Sequence, residues 1–249
     1  MASSLTGKVA LITGASAGIG QAIARAFMAE GANLVVVARR SERLDELVQA
    51  AEQQGVRCIS VVGDVREEAT AQAAVAQAVE AFGRIDILVN NAGIGRYGPL
   101  VDSTAADYDD MMDSNMRSTY LFTRAAVGQL IGQGDGMVII VSSQAGVTGF
   151  PHEAIYCATK FAQVGFAEAL DRELRPHGIR VGLLLPGGVK TEFAIGTGRT
   201  EEGVAASGML EAEDVAAAAV MMAAMPPRGR IMAVHMRPMV EPLFGREMD

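Results

Sequence analysis

Short, almost continuously apolar runs alternate along this chain with longer stretches whose apolar positions recur every three or four residues. Residues 8–13, 33–37, 58–62, 85–89, 137–141 and 180–185 are the continuous runs, rich in valine, isoleucine and leucine. Five or six such residues without polar alternation predict strands buried on both faces. Residues 231–235 are a weaker seventh candidate. The stretches between them read as helices. Residues 20–31 carry Ile23, Ala24 and Phe27 on one face and stop at Gly31. Ser41 can cap a helix whose inner face is Leu44, Leu47, Val48 and Ala51, ending at Gly55. An alanine-rich helix over 67–82 closes at Gly83, and two more are predicted over 105–112 and 114–131. The helix containing Tyr156 runs to about residue 175, where Pro176 and Gly178 end it. The last, over 212–225, has Glu211, Glu213 and Asp214 near its positive end.

Buried strands separated by helices imply a parallel sheet covered on both faces. Right-handed crossovers make it doubly wound, so the expected fold is α/β, a single domain with a seven-stranded parallel sheet. No Pro/Gly/Ser linker divides the 249 residues, a length that suits one large domain. In such sheets ligands bind at the carboxyl ends of the strands.

Candidate chemistry falls at that edge. The first strand runs into Thr13-Gly14-Ala15-Ser16-Ala17-Gly18-Ile19-Gly20. Glycines there allow a tight turn and let backbone N–H groups at a helix start approach a diphosphate. The spacing is G-x-x-x-G-x-G rather than the commoner G-x-G-x-x-G. After the second strand, where many dinucleotide sites carry an acid for the ribose, stand Arg39 and Arg40. With the acid missing, Arg39 suits a 2′-phosphate and points to NADP(H); Arg40 suits that role and a solvated loop equally. Asp64 follows the third strand, where a carboxylate can accept from an adenine amino group. Small residues in Asn90-Asn91-Ala92-Gly93 after the fourth would let a cofactor lie close. Tyr156 and Lys160 lie four apart, on one helix face about 6 Å apart along the axis. A nearby ammonium favours the phenolate, lowering a pKa that is otherwise about 10. That makes a device for moving a proton to or from a substrate oxygen.

Composition mostly excludes. The net charge of −8 argues against nucleic acid. No apolar run reaches the length of a membrane span, and residues 1–11 lack the basic-then-apolar pattern of a secretory leader. Cys58 and Cys157, far apart, read as reduced thiols of a cytoplasmic protein. Neither they nor His152, His177 and His235 make a metal-binding pattern.

Taken in order, Thr13-x-x-x-x-Gly18-x-Gly20, Asn90-Asn91-Ala92-Gly93, Ser143, Tyr156-x-x-x-Lys160 and Pro186-Gly187 resemble the short-chain dehydrogenase/reductase family. The likeness covers almost the whole chain except about 192–210 and the C-terminal tail. It implies a Rossmann-type domain and an NADP(H)-dependent oxidoreductase acting on a carbonyl or secondary alcohol. By this resemblance Tyr156 is the general acid/base. Lys160 holds the nicotinamide ribose and lowers the Tyr156 pKa. Ser143, thirteen residues before Tyr156, bonds the substrate oxygen, with Ser142 structural. Asn115 completes a tetrad through a water relay toward Lys160, and would also suit a helix cap or kink. Gly14, Ser16, Gly18, Ile19 and Gly20 would cradle the pyrophosphate, and Asp64 and Val65 meet the adenine. Asn91, Ala92 and Gly93 would line the groove, and Pro186, Gly187, Val189 and Thr191 hold the nicotinamide end.

Substrate choice is expected in residues 94–100, 144–150 and 188–210, the last a substrate loop whose glycine-rich part, 196–208, is a candidate lid. Ile94, Tyr97, Val147, Phe150, Phe193, Ile195 and Met209 would make the pocket apolar; Arg96 could bind a carboxylate but is better read as an exposed loop arginine. Small residues on the Tyr156 helix (Ala158, Ala162, Gly165, Ala167, Ala169) suit close packing, and family habit makes a homodimer or homotetramer the expected assembly. Epimerases and dehydratases of the wider superfamily usually need a longer chain. Enoyl reductases typically space Tyr and Lys further apart. The alternative from another class is an NADP(H)-binding regulatory or sensor protein without turnover.

Overall fold

The computed structural model describes residues 4–240. Strands β1 (Val9–Thr13), β2 (Asn33–Ala38), β3 (Cys58–Val62), β4 (Ile87–Asn90), β5 (Gly136–Val141), β6 (Ile179–Pro186) and β7 (Ala233–Met236) form one sheet. Its order is β3-β2-β1-β4-β5-β6-β7, with each neighbouring pair parallel. The helices are α1 (Gly18–Ala29), α2 (Ser41–Gln53), α3 (Glu68–Phe82), α4 (Ala105–Met112), α5 (Ser118–Gln133), α6 (Ala154–Leu174), α7 (Glu201–Ala206) and α8 (Ala212–Ala223).

Successive strand residues face opposite sides, so a central strand must be apolar throughout to bury both. In β1, Ala10 and Ile12 join Ile23, Phe27, Leu44 and Val215, from α1, α2 and α8, on one face. Leu11 joins Ala74, Phe122 and Leu174, from α3, α5 and α6, on the other. At the amino edge the buried Asp86 accepts from the Val9 N–H at 2.9 Å and pairs with Lys8 at 3.0 Å and Arg84 at 2.6 Å. That knot ties β1 to the start of β4 and leaves the carboxyl edge to the site.

Several local outcomes differ from the sequence expectation; Ser41 does not cap α2 but begins it, with Arg40 as the N-cap and no side-chain cap. α1 begins at Gly18, two residues early, which puts Gly18 and Ile19 in its first turn. The helices expected at 105–112 and 114–131 are one rod: no breaker separates them, and a π-helical turn, Asp113–Arg117, joins α4 to α5. Such turns widen the ladder by one residue and often mark functional sites. Within 188–210 the expected loop contains α7, capped where the Thr200 hydroxyl accepts from the Gly203 N–H at 3.1 Å. The stretch before it is fastened to the loop after β4: the Tyr97 N–H donates to the Thr197 carbonyl and the Thr197 hydroxyl to the Gly95 carbonyl, both at 2.8 Å.

Candidate active site

Strand order reverses between β1 and β4, and there the connections leave a cleft at the carboxyl edge. It holds a cavity of about 720 Å³, within the usual size of ligand sites. Of the nominated site residues only Gly20 and Asn115 do not line it.

One half of the cleft is built from backbone. The Thr13 hydroxyl accepts from the N–H groups of Asn91 (3.0 Å) and Ala92 (3.1 Å), and the Asn91 amide donates to the Thr13 and Gly14 carbonyls. The ends of β1 and β4 are thereby locked together under the glycine turn. Gly14 has φ +67°, and a Cβ there would stand 2.9 Å from the Ala92 Cα. α1 has no side-chain cap on its first N–H groups, which open toward the cavity lined by Ser16, Gly18 and Ile19. Gly20 departs from the expectation that it cradles a diphosphate. A Cβ on it would collide with the Gly14 carbonyl and the Asn91 amide, so its smallness serves the close packing of α1 beneath the turn.

Charged groups rim this half. Arg39 is exposed, lines the cavity and makes no side-chain hydrogen bond or ion pair among the described residues. Arg40 is engaged instead. It donates to the Ser16 hydroxyl at 3.2 Å and pairs with Glu192 at 2.8 Å. Asp64 is shared: Arg66 contacts both carboxylate oxygens, the shortest at 2.6 Å, and holds the carboxyl below its ordinary range. Arg66 also pairs with Asp110 at 2.8 Å.

The other half is built from buried side chains. Tyr156 and Lys160 stand on α6, with the Lys160 Nζ 5.6 Å from the centre of the Tyr156 ring. Ser143, just past the end of β5, lines the cavity with Tyr156; its hydroxyl donates to the Pro186 carbonyl at 3.4 Å and accepts from the Ala145 N–H at 3.1 Å, and its influence on the phenol is to lower its pKa. The Lys160 Nζ donates to the Val141 carbonyl at 3.1 Å and to the Gln163 Oε1 at 3.0 Å. Asn115, in the π turn, lies behind the wall. Its side-chain amide donates to the Ile94 carbonyl and the Thr159 hydroxyl, and its Oδ1 accepts from the Ile94 N–H at 2.7 Å. It fixes the loop after β4 from within the π turn.

The expected sharpening of the phenol by the ammonium does not dominate here. Burial pushes the Tyr156 hydroxyl upward, and the Ser143 hydrogen bond and the Arg199 charge offset that only in part. Burial also pushes Lys160 down to about 7. Removing both from water disfavours each charged form, and near neutral pH the lysine is itself titrating.

Facing Tyr156 is an aromatic wall: Tyr97 meets it edge-on at 5.6 Å between centroids and Phe193 at 5.7 Å. Ile94 and Phe150 complete the wall. Of the other nominated substrate residues, Val147 is exposed, and Val147, Ile195 and Met209 are not among the cavity-lining residues. Arg96 is taken by Asp110 at 2.7 Å and Asp107 at 3.5 Å. The cation that faces the pocket is Arg199, whose guanidinium lies 5.7 Å from the Tyr97 ring centre and 5.9 Å from that of Phe193. Glu153 lines the same space, and burial raises its carboxyl. Arg66, Glu153 and Arg199 were missed in the sequence because each meets its neighbours only after folding. Gln163 carried a signal, a polar residue on the inward face of a helix three positions after Lys160.

Known proteins match this chain along most of its length. The family model described as short chain dehydrogenase matches residues 8–202. A protein named Oxidoreductase UcpA, from Salmonella typhimurium, is 44% identical over 191 residues, covering 76% of this chain and 72% of its own. The alcohol dehydrogenase of the archaeon Thermococcus sibiricus, solved with 5-hydroxy-NADP, has a TM-score of 0.86 at 29% identity and covers 95% of this chain and 98% of its own. A short chain dehydrogenase from Burkholderia cenocepacia, solved with NADP, has a TM-score of 0.85 at 33% identity, with 94% and 97% covered.

Proposed function

This chain belongs to the short chain dehydrogenase family, and on that premise we propose that it is an NADP(H)-dependent oxidoreductase acting on a carbonyl or secondary alcohol, with Tyr156 as general acid/base. The single observation that carries this reading is the meeting, in one cleft, of a glycine turn at a helix start with Ser143 and the buried Tyr156 and Lys160.

The residues present fit the cofactor. Gly14 lets the turn close directly onto Ala92, and the uncapped start of α1 would supply N–H donors to a diphosphate. Arg39, without a hydrogen bond or ion pair among the described residues, suits a 2′-phosphate, and structural neighbours were solved with NADP or its 5-hydroxy analogue. Val65 and Asp64, the latter alongside Arg66, would meet the adenine. Pro186, Gly187, Val189 and Thr191 would hold the nicotinamide end, beside Ala92 and Gly93. The cofactor, when bound, supplies the hydride chemistry.

The protein's part is orientation and one proton. The hydroxyls of Ser143 and Tyr156 would hold the substrate oxygen between them, and the Tyr156 Oη would give its proton to that oxygen on reduction or take it on oxidation. A phenol pushed upward by burial keeps its proton at neutral pH, where it is available to the substrate oxygen on carbonyl reduction. A cation near the ring would restore basicity for the reverse. Tyr97, Phe150 and Phe193 exclude water from the reacting oxygen. The substrate is a carbonyl compound with an apolar or aromatic body, and Arg199 accommodates an anionic or carbonyl-bearing substituent. The stretch before α7 would act as a lid, its hinge the left-handed positions Ala194 (φ 62°), Gly196 and Gly198. Ligand should then slow hydrogen exchange there.

No described helix is long and apolar enough to cross a membrane, and a cytoplasmic location is part of the proposal. So is a homodimer or homotetramer, for which Phe161 on α6 and Tyr120 on α5, both nearly half exposed, offer apolar surface beside exposed Ala158, Gly165 and Ala169. The test is oxidation of NADPH, and separately NADH, against a panel of ketones and aldehydes. Saturable binding with no turnover across the panel would favour the sensor instead.

A further inference from the structure

Lys160 has three N–H donors and is buried in a place with no carboxylate partner. Two donors go to neutral acceptors, the Val141 carbonyl and the Gln163 side chain. The backbone carbonyl is fixed by β5; the side chain has to be held by something else. Gln163 is fully buried, and its Nε2 donates to the Asn115 carbonyl at 2.9 Å and to the Thr119 hydroxyl at 2.8 Å. The Thr119 hydroxyl in turn donates to the same Asn115 carbonyl at 2.7 Å. This pattern admits one orientation of the amide: a lysine cannot accept and a carbonyl cannot donate, so Oε1 faces Lys160 and Nε2 faces Asn115. The Asn115 carbonyl has two lone pairs and two close donors. Direct side-chain bonds therefore run from the π turn to the lysine.

We propose that Gln163 is the positioning residue for Lys160: it fixes the ammonium against α6 and joins it through one amide to the Asn115 carbonyl of the π turn. The proposal rests on the oxidoreductase reading only where turnover is measured. An amide bridges without passing a proton on, so Gln163 holds the lysine in place and is not itself a proton relay. The lysine's remaining donor is left for the cofactor side of the cavity. Because Gln163 accepts from the charged form, it also opposes the burial that drives Lys160 to lose its proton.

Other ionisable groups near the pair are Tyr156 itself and, on the substrate side, Tyr97, Cys157, Glu153 and Arg199. Along the rest of the cleft Arg66 is paired with Asp64 and Asp110, Arg96 with Asp107 and Asp110, and Arg40 with Glu192. Of these only Tyr156 stands against Lys160, its ring centre 5.6 Å from Nζ, so a change at Gln163 should be read through the lysine and that phenol.

The experiment compares wild type with Gln163→Met, which keeps the shape and loses the acceptor, and Gln163→Glu, which keeps the acceptor and adds charge. Thr119→Val, which removes one anchor of the amide, guards against a Gln163 variant that does not fold. Two readouts are taken from pH 6 to 10: the melting temperature without cofactor, and kcat with NADPH and an accepted carbonyl. With Gln163→Met the lysine should lose its proton earlier. The pH limb of kcat should move acidward by about 1–2 units, the worth of one hydrogen bond to a charged group, and the loss in melting temperature should deepen below neutral pH. Gln163→Glu should move the limb the other way, and Thr119→Val should move it acidward by less. Uniform losses in all variants with unmoved pH profiles would mean a purely structural role and overturn the proposal, as would a Gln163→Met protein indistinguishable from wild type. Should wild type turn over no carbonyl, the oxidoreductase reading fails, while the melting curves still decide the role of Gln163.

Discussion

The two halves of the cleft solve opposite problems. Under the nucleotide half, from β1 to β3, the decisive feature is the absence of side chains. Gly14 lets backbone face the cavity, and the helix start is left uncapped. In the half built on β4, β5 and α6, the decisive feature is an excess of buried polar side chains: Asn115, Thr119, Thr159, Lys160 and Gln163, each at most 3% exposed. A diphosphate brings its own charge and wants donors within reach. A proton device must create unusual ionisation, and it does so by taking titratable groups out of water and satisfying them with neutral partners. The lesson is that changes in the first half should be read in cofactor affinity, and changes in the second in the proton chemistry and its pH dependence.

The largest expected effect is in the second half. Tyr156→Phe keeps nearly the same volume and removes the proton. Turnover should fall about 10²–10⁴-fold, and NADPH affinity by fluorescence titration should stay within about twofold of wild type. A variant that turns over near the wild-type rate would break the comparison at its centre.

Next is the cost of burying Lys160. Its folded pKa, about 7, lies below its unfolded value. Below pH 7 it is charged in both states, and the cost of burying the charge is paid in full. Between pH 7 and the unfolded value only the unfolded state is protonated, so stability rises with pH. Lys160→Met removes the cost, roughly 4–5 kcal/mol if the whole shift is converted. Without cofactor it should be more stable than wild type at pH 6, with the advantage fading toward pH 10 in urea titrations. A constant difference at all pH values would show that desolvation does not govern this lysine.

A smaller effect should come from Arg39→Ser. The preference for NADPH over NADH should fall about tenfold to a hundredfold, the worth of one charge-assisted contact. Equal losses for both cofactors would remove Arg39 from the 2′-phosphate. The smallest is Gly14→Ala, which demands an L residue at φ +67° and brings a Cβ to 2.9 Å from Ala92. NADPH binding should weaken about tenfold while the pH profile of kcat stays unmoved. A moved profile would mean that the two halves are not independent.

Much of this was present in the chain as written. Strand and helix alternation gave the α/β class because continuous apolar runs make sense only where both sheet faces are covered. Thr13 to Gly20, Tyr156 and Lys160 were legible because their chemistry depends on local spacing, a turn or one helical step. Helix bounds slipped at α1, and the π turn at Asn115 was read as a break, because a one-residue change of hydrogen-bond register leaves no mark in apolar periodicity.

The sequence by itself determined which residue types stand at the sheet's carboxyl edge, since strand endings and glycine positions are local properties. Only the tertiary structure decided what those residues experience. Gly20 was set behind the turn, Arg96 was consumed by Asp110, and Arg199 was brought over Tyr97 from a hundred residues away. Burial moved the ionisation of Tyr156 and Lys160 against the expectation from their spacing. Desolvation is the sum of everything packed around a group, contributed by segments distant in the chain, and no local pattern records that sum.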